Sequence, residues 1–307
     1  MGTQTVYDAE EVMLRGRSNR TRKVFVLTAL LILTCFCACL PRQAKKVFVI
    51  TDMEGVGGVF SRELQCIPFE SPRFEEARKL LTGEVNAAVD GLIEGGATEV
   101  VVWDGHDGSR TLSTLDIHPR ARLLAGLPIS STIELDSTYN AVIFIGQHAM
   151  AGAEKGVLSH SYSSDGIEGI SINGKAVGEI GARTMLAGTF GIPVVMLSGD
   201  TAACQEIRQL VPQVECAEVK SGASRTAAFG LSQTAARALI REKARRAMDR
   251  LPEFKPYPVS GPAEVKVKLT PKAAASKVAE GVVLPDDRTW VYRGKDIVEA
   301  WLKFSSF

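Results

Sequence analysis

Net charge is the first thing this sequence lacks. Its 307 residues carry 36 Lys and Arg against 35 Asp and Glu, a formal net charge of +1. No basic excess marks a nucleic-acid surface, so no nucleic-acid partner is expected. Histidine is scarce, with only His106, His118, His148 and His160. Any site that needs several imidazoles must use most of them. Cysteine is equally thin where it would matter. Cys35, Cys37 and Cys39 sit in an N-terminal segment unlike the rest, leaving Cys66, Cys204 and Cys216. These three are odd in number and show no CxxC spacing. That excludes a cysteine zinc cage and argues against a disulfide framework. They read as buried small hydrophobes. There is no internal repeat, no low-complexity stretch and no Gly-Lys-Ser or Gly-Lys-Thr.

The N-terminal segment has its own texture. Arg15, Arg17, Arg20, Arg22 and Lys23 precede the apolar run VFVLTALLILTCFCACL, Val24 to Leu40. A basic stretch followed by such a run reads as a secretory signal. It is slightly short for a comfortable membrane span. The stretch before Met13 is long for the basic region of a signal, so Met13 competes with Met1 as the start. Phe36-Cys-Ala-Cys39 is a loose lipobox that offers Cys39 for acylation. Ordinary cleavage and an uncleaved anchor are the alternatives. An exported protein, periplasmic or cell-envelope associated, is expected, with membrane attachment through residues 1–43.

From residue 44 strand-like and helix-like segments alternate. Val47–Asp52, Glu99–Asp104, Asn140–Gly146 and Pro193–Ser198 are apolar runs, as expected of strands buried on both faces, and Val214–Lys220 reads as another strand. Helical periodicity covers Pro72–Glu94, Ala176–Phe190, Thr201–Leu210 and Gln233–Arg250. The expected fold is therefore α/β: a largely parallel central sheet flanked by helices, over residues 44–250. Pro256, Pro258 and Pro262 then mark a linker. Residues 251–307 are expected to add a smaller α+β part, with a strand at Glu264–Leu269 and a helix at Asp296–Phe304.

In open α/β sheets ligands bind beyond the carboxyl ends of the strands. The first strand ends in Asp52-Met-Glu54, the second in Asp104-Gly-His106-Asp107, the third in Gly146-Gln-His148. Residues i and i+2 of an extended segment point to one side, and two adjacent carboxylates repel unless a cation lies between them. Taken alone, Asp-x-Glu is more often a solvated acidic turn. Acid and imidazole at three successive strand ends point instead to a divalent metal of the zinc type. The turn TDMEGVGG is not a dinucleotide loop: the third glycine of Gly-x-Gly-x-x-Gly is replaced by Phe60, and Pro68 and Pro72 follow. GVLSHSYSS, with His160, reads as a polar loop, the kind of element that often carries catalytic groups. Ile172-Asn-Gly-Lys175 reads as a tight turn. Glu179 falls in the first turn of a helix, where a glutamate ordinarily complements the helix dipole. His118, beside Pro119, reads as structural.

TDMEG, VVWDGHDG, FIGQHA, GVLSHS and INGKAVGEIG, in this order and spacing, resemble the D-aminopeptidase zinc metallopeptidases of the DppA type. The resemblance runs from about residue 46 to about residue 250. It implies two zinc ions per subunit, held by Asp52, Glu54, His106, His148 and Glu179, with Asp52 bridging. It implies His160 as the catalytic residue, a ring-stacked homo-oligomer (a decamer), and short peptides with an N-terminal D-amino acid, of the D-Ala type, as substrates. His160 suits an acid/base role, since a metal-activated water already supplies the nucleophile. Two other readings of the same residues stay open: a two-metal phosphoesterase, for which Arg110 is the only nearby cation, and a non-catalytic exported protein that binds metal or peptide.

Overall fold

The run KVFVIT forms β1 (Lys46–Thr51), five of whose six residues are buried. In the computed structural model, residues 44–126, 134–274, 286 and 288–305 are described. The expected export segment, residues 1–43 with Met13 and Cys39, lies outside them. Along the chain follow α1 (Arg62–Gln65), α2 (Phe74–Glu94), β2 (Glu99–Trp103), β3 (Ala121–Leu124) and β4 (Ala141–Gln147). Next come β5 (Ile167–Ile172), β6 (Lys175–Val177), α3 (Glu179–Thr189), β7 (Val194–Asp200) and α4 (Thr201–Leu210). Then come β8 (Glu215–Ser224), β9 (Ala227–Gly230), α5 (Gln233–Asp249), β10 (Ala263–Leu269), α6 (Pro271–Ala274), β11 (Thr289–Gly294) and α7 (Ile297–Ser305).

The large sheet runs in the order β3-β2-β1-β4-β7-β8-β9. Every neighbouring pair is parallel except β8 with β9. β4 and β7 are buried along their whole length, as strands covered on both faces must be. Helices α2 and α5 pack on each other and on the sheet, and α3 packs on α4. The expected α/β architecture is what the molecule adopts. Among the described residues no helix is long and apolar enough to cross a membrane.

The second sheet is antiparallel, in the order β11-β10-β5-β6. It draws on residues 167–177 as well as on the C-terminal part, so the smaller α+β part is not confined to residues 251–307. Residues 44–307 make one compact unit. The helix expected over Ala176–Phe190 begins only at Glu179. Asn173 and Gly174, both at positive φ, close a two-residue hairpin that draws Lys175–Val177 into the sheet as β6. Helix α3 then joins two cores: Ile180 and Ala187 pack into the large one, while Ala182, Met185 and Leu186 pack with Trp290, Tyr292 and Trp301 in the other.

Candidate metal centre

The strand order sets the site. β1 lies between β2 and β4, all three parallel, so their carboxyl ends open on one edge. Asp52 follows directly on β1 and His148 on β4, while His106 comes after β2 with Asp104 and Gly105 between. From its middle position Asp52 reaches both neighbours. Its Oδ1 lies 3.2 Å from His106 Nδ1 and its Oδ2 lies 3.2 Å from His148 Nε2. Glu54 Oε2 stands 3.1 Å from His106 Nδ1. Glu179, the first residue of α3, brings Oε1 to 3.3 Å from His148 Nε2 and 4.0 Å from His160 Nε2. The His148 and His160 rings stack at 4.0 Å. All six expected site residues therefore meet at one place. His118 lies elsewhere, 3.3 Å from Asp90, and Asp104 turns away to accept the backbone N–H groups of Thr111 and Leu112.

Each imidazole is oriented by a backbone carbonyl. His106 Nε2 donates to Cys66 O at 2.6 Å, His148 Nδ1 to Ala149 O at 2.8 Å, and His160 Nδ1 to Leu158 O at 2.9 Å. With that proton committed, the other nitrogen of each ring faces the carboxylates and is the one a cation would take in place of a proton, the arrangement that metal-binding histidines need. The carboxylates are supported in turn. Asp52 accepts from Met53 N at 2.8 Å and from Gln147 Nε2 at 2.9 Å, and Glu179 accepts from Tyr162 N at 2.9 Å. Among the described residues, the buried Glu54 Oε2 and His148 Nε2 meet neighbours in the cluster, at 3.1 Å to His106 for the first and 3.2 Å to Asp52 for the second, without the geometry of a hydrogen bond. Ligating atoms of this kind, within a set of oxygen and imidazole groups, fit a zinc-type cation. The ligand atoms of Asp52, Glu54 and His148 lie within 4.8 Å of one another, as do those of His148, His160 and Glu179.

Three carboxylates buried together require positive charge among them. Burial and then Glu54 push Asp52 above the usual carboxylate range. Burial works on Glu54 in the same direction, but the charge of His106 beside it prevails and holds it well below that range. Glu179, likewise opposed by burial, is held down to about 2 by His148. Burial alone would depress His106 and His148, yet Glu54 and Asp52 raise the first well above ordinary histidine, and Glu179 and Asp52 raise the second. Without a metal the ring protons supply the positive charge. A divalent cation would displace them.

The glycine-rich turn after Asp52 needs its glycines for backbone contact. A Cβ on Gly55 would lie 2.1 Å from Gln147 O, and one on Gly146, at φ 73°, would lie 2.2 Å from Asp52 O. The strand ends approach so closely that no side chain fits between them. Lys220, at 4 % exposure inside β8, completes the turn. Its Nζ donates to Glu54 O at 2.5 Å, Val56 O at 3.0 Å and Val59 O at 2.5 Å. Gly57 N donates to the buried Glu84.

A cavity of about 140 Å³ opens over the cluster, lined by Asp52, Glu54, His106, His160 and Glu179 with Arg62 at its edge. Arg110, the cation beside the motifs in sequence, is exposed and does not line it.

With this geometry in view, similarity to known proteins becomes informative. A model of the peptidase M55 family, described as D-aminopeptidase, matches residues 45–306. The chain belongs to this D-aminopeptidase family. A D-aminopeptidase from Bacillus subtilis (strain 168) is 32% identical over 261 residues, covering 83% of this chain and 94% of that protein. The solved structure of the Zn-dependent D-aminopeptidase DppA from Bacillus subtilis, a self-compartmentalizing protease, aligns with a TM-score of 0.79 at 29% identity, covering 85% of this chain and 96% of that one. As a D-aminopeptidase homologue the chain is a metallo-aminopeptidase.

Several groups that shape the centre carry little or no signal in the sequence. Gln147 sat inside FIGQHA as a polar residue ending a buried strand, which is a usable signal. Lys220 falls in a segment, Val214–Lys220, that already carries Glu215 and Glu218, so it gives no such signal. The carbonyls of Cys66, Ala149 and Leu158 carry no side-chain signature at all.

Proposed function

We propose that this member of the D-aminopeptidase family hydrolyses short peptides with an N-terminal D-amino acid, of the D-Ala type, at a centre built for two zinc ions. The observation that carries the reading is the position of Asp52. Its two oxygens face separate groups, Glu54 with His106 on one side and His148 with Glu179 on the other. These five residues would hold the metals, with Asp52 between them. Zinc, when bound, supplies Lewis acidity toward the scissile carbonyl and a water nucleophile at neutral pH.

The chain supplies the rest. Gln147 and the N–H of Met53 fix the Asp52 carboxylate. Three carbonyls fix the imidazole tautomers. His160 is the most exposed of the three imidazoles, with 16% of its side chain accessible against 6% for His106 and 1% for His148. It lines the cavity wall, and we assign it the proton transfer to the leaving amine. The closeness of His148, His160 and Glu179 favours one other role for it, as a metal ligand. The self-compartmentalizing relative supports a homo-oligomer here too, with the decamer as the assembly to look for. The basic and apolar N-terminal segment supports an exported, cell-envelope location with Cys39 as the acylation point.

Metal analysis of the purified protein, coupled to hydrolysis of D-Ala-D-Ala, tests the reading. Two zinc ions per chain and turnover are expected, and Asp52→Ala should lose both. Zinc retained without turnover of any D-aminoacyl peptide would leave a binding protein. Turnover of nitrophenyl phosphate in place of peptide would make it a phosphoesterase.

A further inference from the structure

His160 separates two cavities that differ in charge. The cavity over the cluster is lined by the carboxylates Asp52, Glu54, Asp107 and Glu179. Its one arginine, Arg62, is paired with Asp165 at 3.2 Å. On the other side of His160 lies a larger cavity of about 340 Å³. No carboxylate lines it. Its walls are the small residues Ala151, Gly152 and Gly156 and two cations, Lys155 and Arg225, and His160 and Ser164 line both cavities. Among the described residues Lys155 forms no ion pair. Arg225 uses Nε and Nη2 on Ser159 O, at 3.4 and 3.1 Å, which leaves Nη1 uncommitted.

We propose that this second cavity receives the leaving part of the substrate, and that Lys155 and Arg225 bind its C-terminal carboxylate. The inference rests on the peptidase reading and on His160 as the proton donor to the leaving amine. A group that protonates that amine lies between the metals and the departing residue. In a dipeptide the carboxylate carbon is only two bonds beyond the amine nitrogen, about 2.5 Å away. The carboxylate must then fall just past His160, on the basic side. A cavity with two cations and no acid is complementary to it. The small wall residues leave room in this cavity, so the departing side chain is not held to the size of alanine. The substrate class becomes short peptides with a free C-terminus.

Two substrates decide the matter: D-Ala-D-Ala and its C-terminal amide, which differ only in the carboxylate. The wild-type protein should prefer the free acid by about a hundredfold in kcat/KM, the value of two charge-assisted contacts at about tenfold each. Lys155→Gln and Arg225→Gln should each shrink that preference about tenfold, and added salt should shrink it in the wild type. Arg225 also holds the loop that carries His160, so a purely structural effect would lower both rates together and leave their ratio alone. A ratio untouched in both variants, or a wild-type protein that cleaves the amide as well as the acid, would overturn the subsite while the peptidase reading stood. Turnover of neither substrate by the zinc-loaded protein would overturn both.

Discussion

Replacing Lys220 with methionine tests how the metal-binding turn is held. Lys220 is buried, and its Nζ donates to the carbonyls of Glu54, Val56 and Val59. Hydrogen bonds from a charged donor contribute about 1.5–3 kcal/mol each, so three contribute on the order of 6 kcal/mol. Against this stands the burial of the ammonium, which pushes Lys220 down from 10.5 to about 8. At about 1.4 kcal/mol per pH unit, that net shift, burial set against the nearby acids Asp200 and Glu84, offsets roughly 3 kcal/mol of the gross gain. Methionine keeps most of the side-chain volume, removes the desolvation cost and takes the donor from Glu54 O and Val59 O, while Val56 O keeps the N–H of Val59. The net loss should be about 3 kcal/mol.

The location of that loss is what makes the variant informative. The three carbonyls belong to Glu54 and to the residues just after it, so the turn that aims Glu54 slackens first. Urea unfolding should show the lower stability. Zinc titration with a competing chelator should show affinity down by about tenfold or more, the cost of a loosened support around a ligand. A Lys220→Met protein with lower stability and unchanged zinc affinity would refute the idea that Lys220 positions the metal-binding turn, and would leave it as a core residue only.

Glu84 sets a pH dependence. Burial raises its carboxyl from 4.5 to about 7, and the proton is therefore held more tightly in the folded chain than in the unfolded one. Its contribution is full below pH 4.5 and is lost as pH rises to about 7, amounting to about 3 kcal/mol by linkage. Glu84→Gln should flatten that part of a urea-unfolding profile against pH, and an unchanged slope would sink the assignment. His160→Asn should keep zinc at the wild-type stoichiometry and lower kcat about a hundredfold or more. Loss of zinc in that variant, read by metal analysis, would make His160 a ligand. Gly146→Ala places a methyl against Asp52 O at a positive φ. It should cost on the order of 3 kcal/mol in unfolding experiments, or abolish folding.

The part of the centre that was readable from sequence is the part carried by strand ends. Buried parallel strands are continuous apolar runs, so Asp52, Glu54, His106 and His148 announced themselves as polar residues breaking such runs at a common edge. Glu179 had no such frame. Its place depends on the hairpin of β5 and β6, which sets where α3 starts, and that hairpin exists through pairing with β10, nearly a hundred residues later in the chain. Helical periodicity ran through Ala176 and Val177 because three residues are too few to show a period of two. Lys220 was hidden for a related reason. Its partners lie more than 160 residues earlier, and a lysine closing a strand is ordinarily a solvated end.

Strand order also explains why the residue between the two halves of the centre comes from β1, and Asp52 is the first residue past its end. Only a residue on the middle strand of three can address both neighbours, and β1 is that strand. Register then fixes which face is used. Met53 is wholly buried in the core while Asp52 and Glu54 turn to the ligand side. Past Thr51 the chain leaves the strand, and the backbone of the turn is tied to β4 instead: Asp52 N donates to Ile145 O at 2.9 Å and Gly55 N to Gly146 O at 2.7 Å. These bonds hold Met53 inward and both carboxylates outward. Reversing that arrangement would bury two charges with no cation at hand, at a cost of several kcal/mol each. The sequence Asp-Met-Glu therefore does two jobs: it builds the ligand set, and it fixes which way the turn faces.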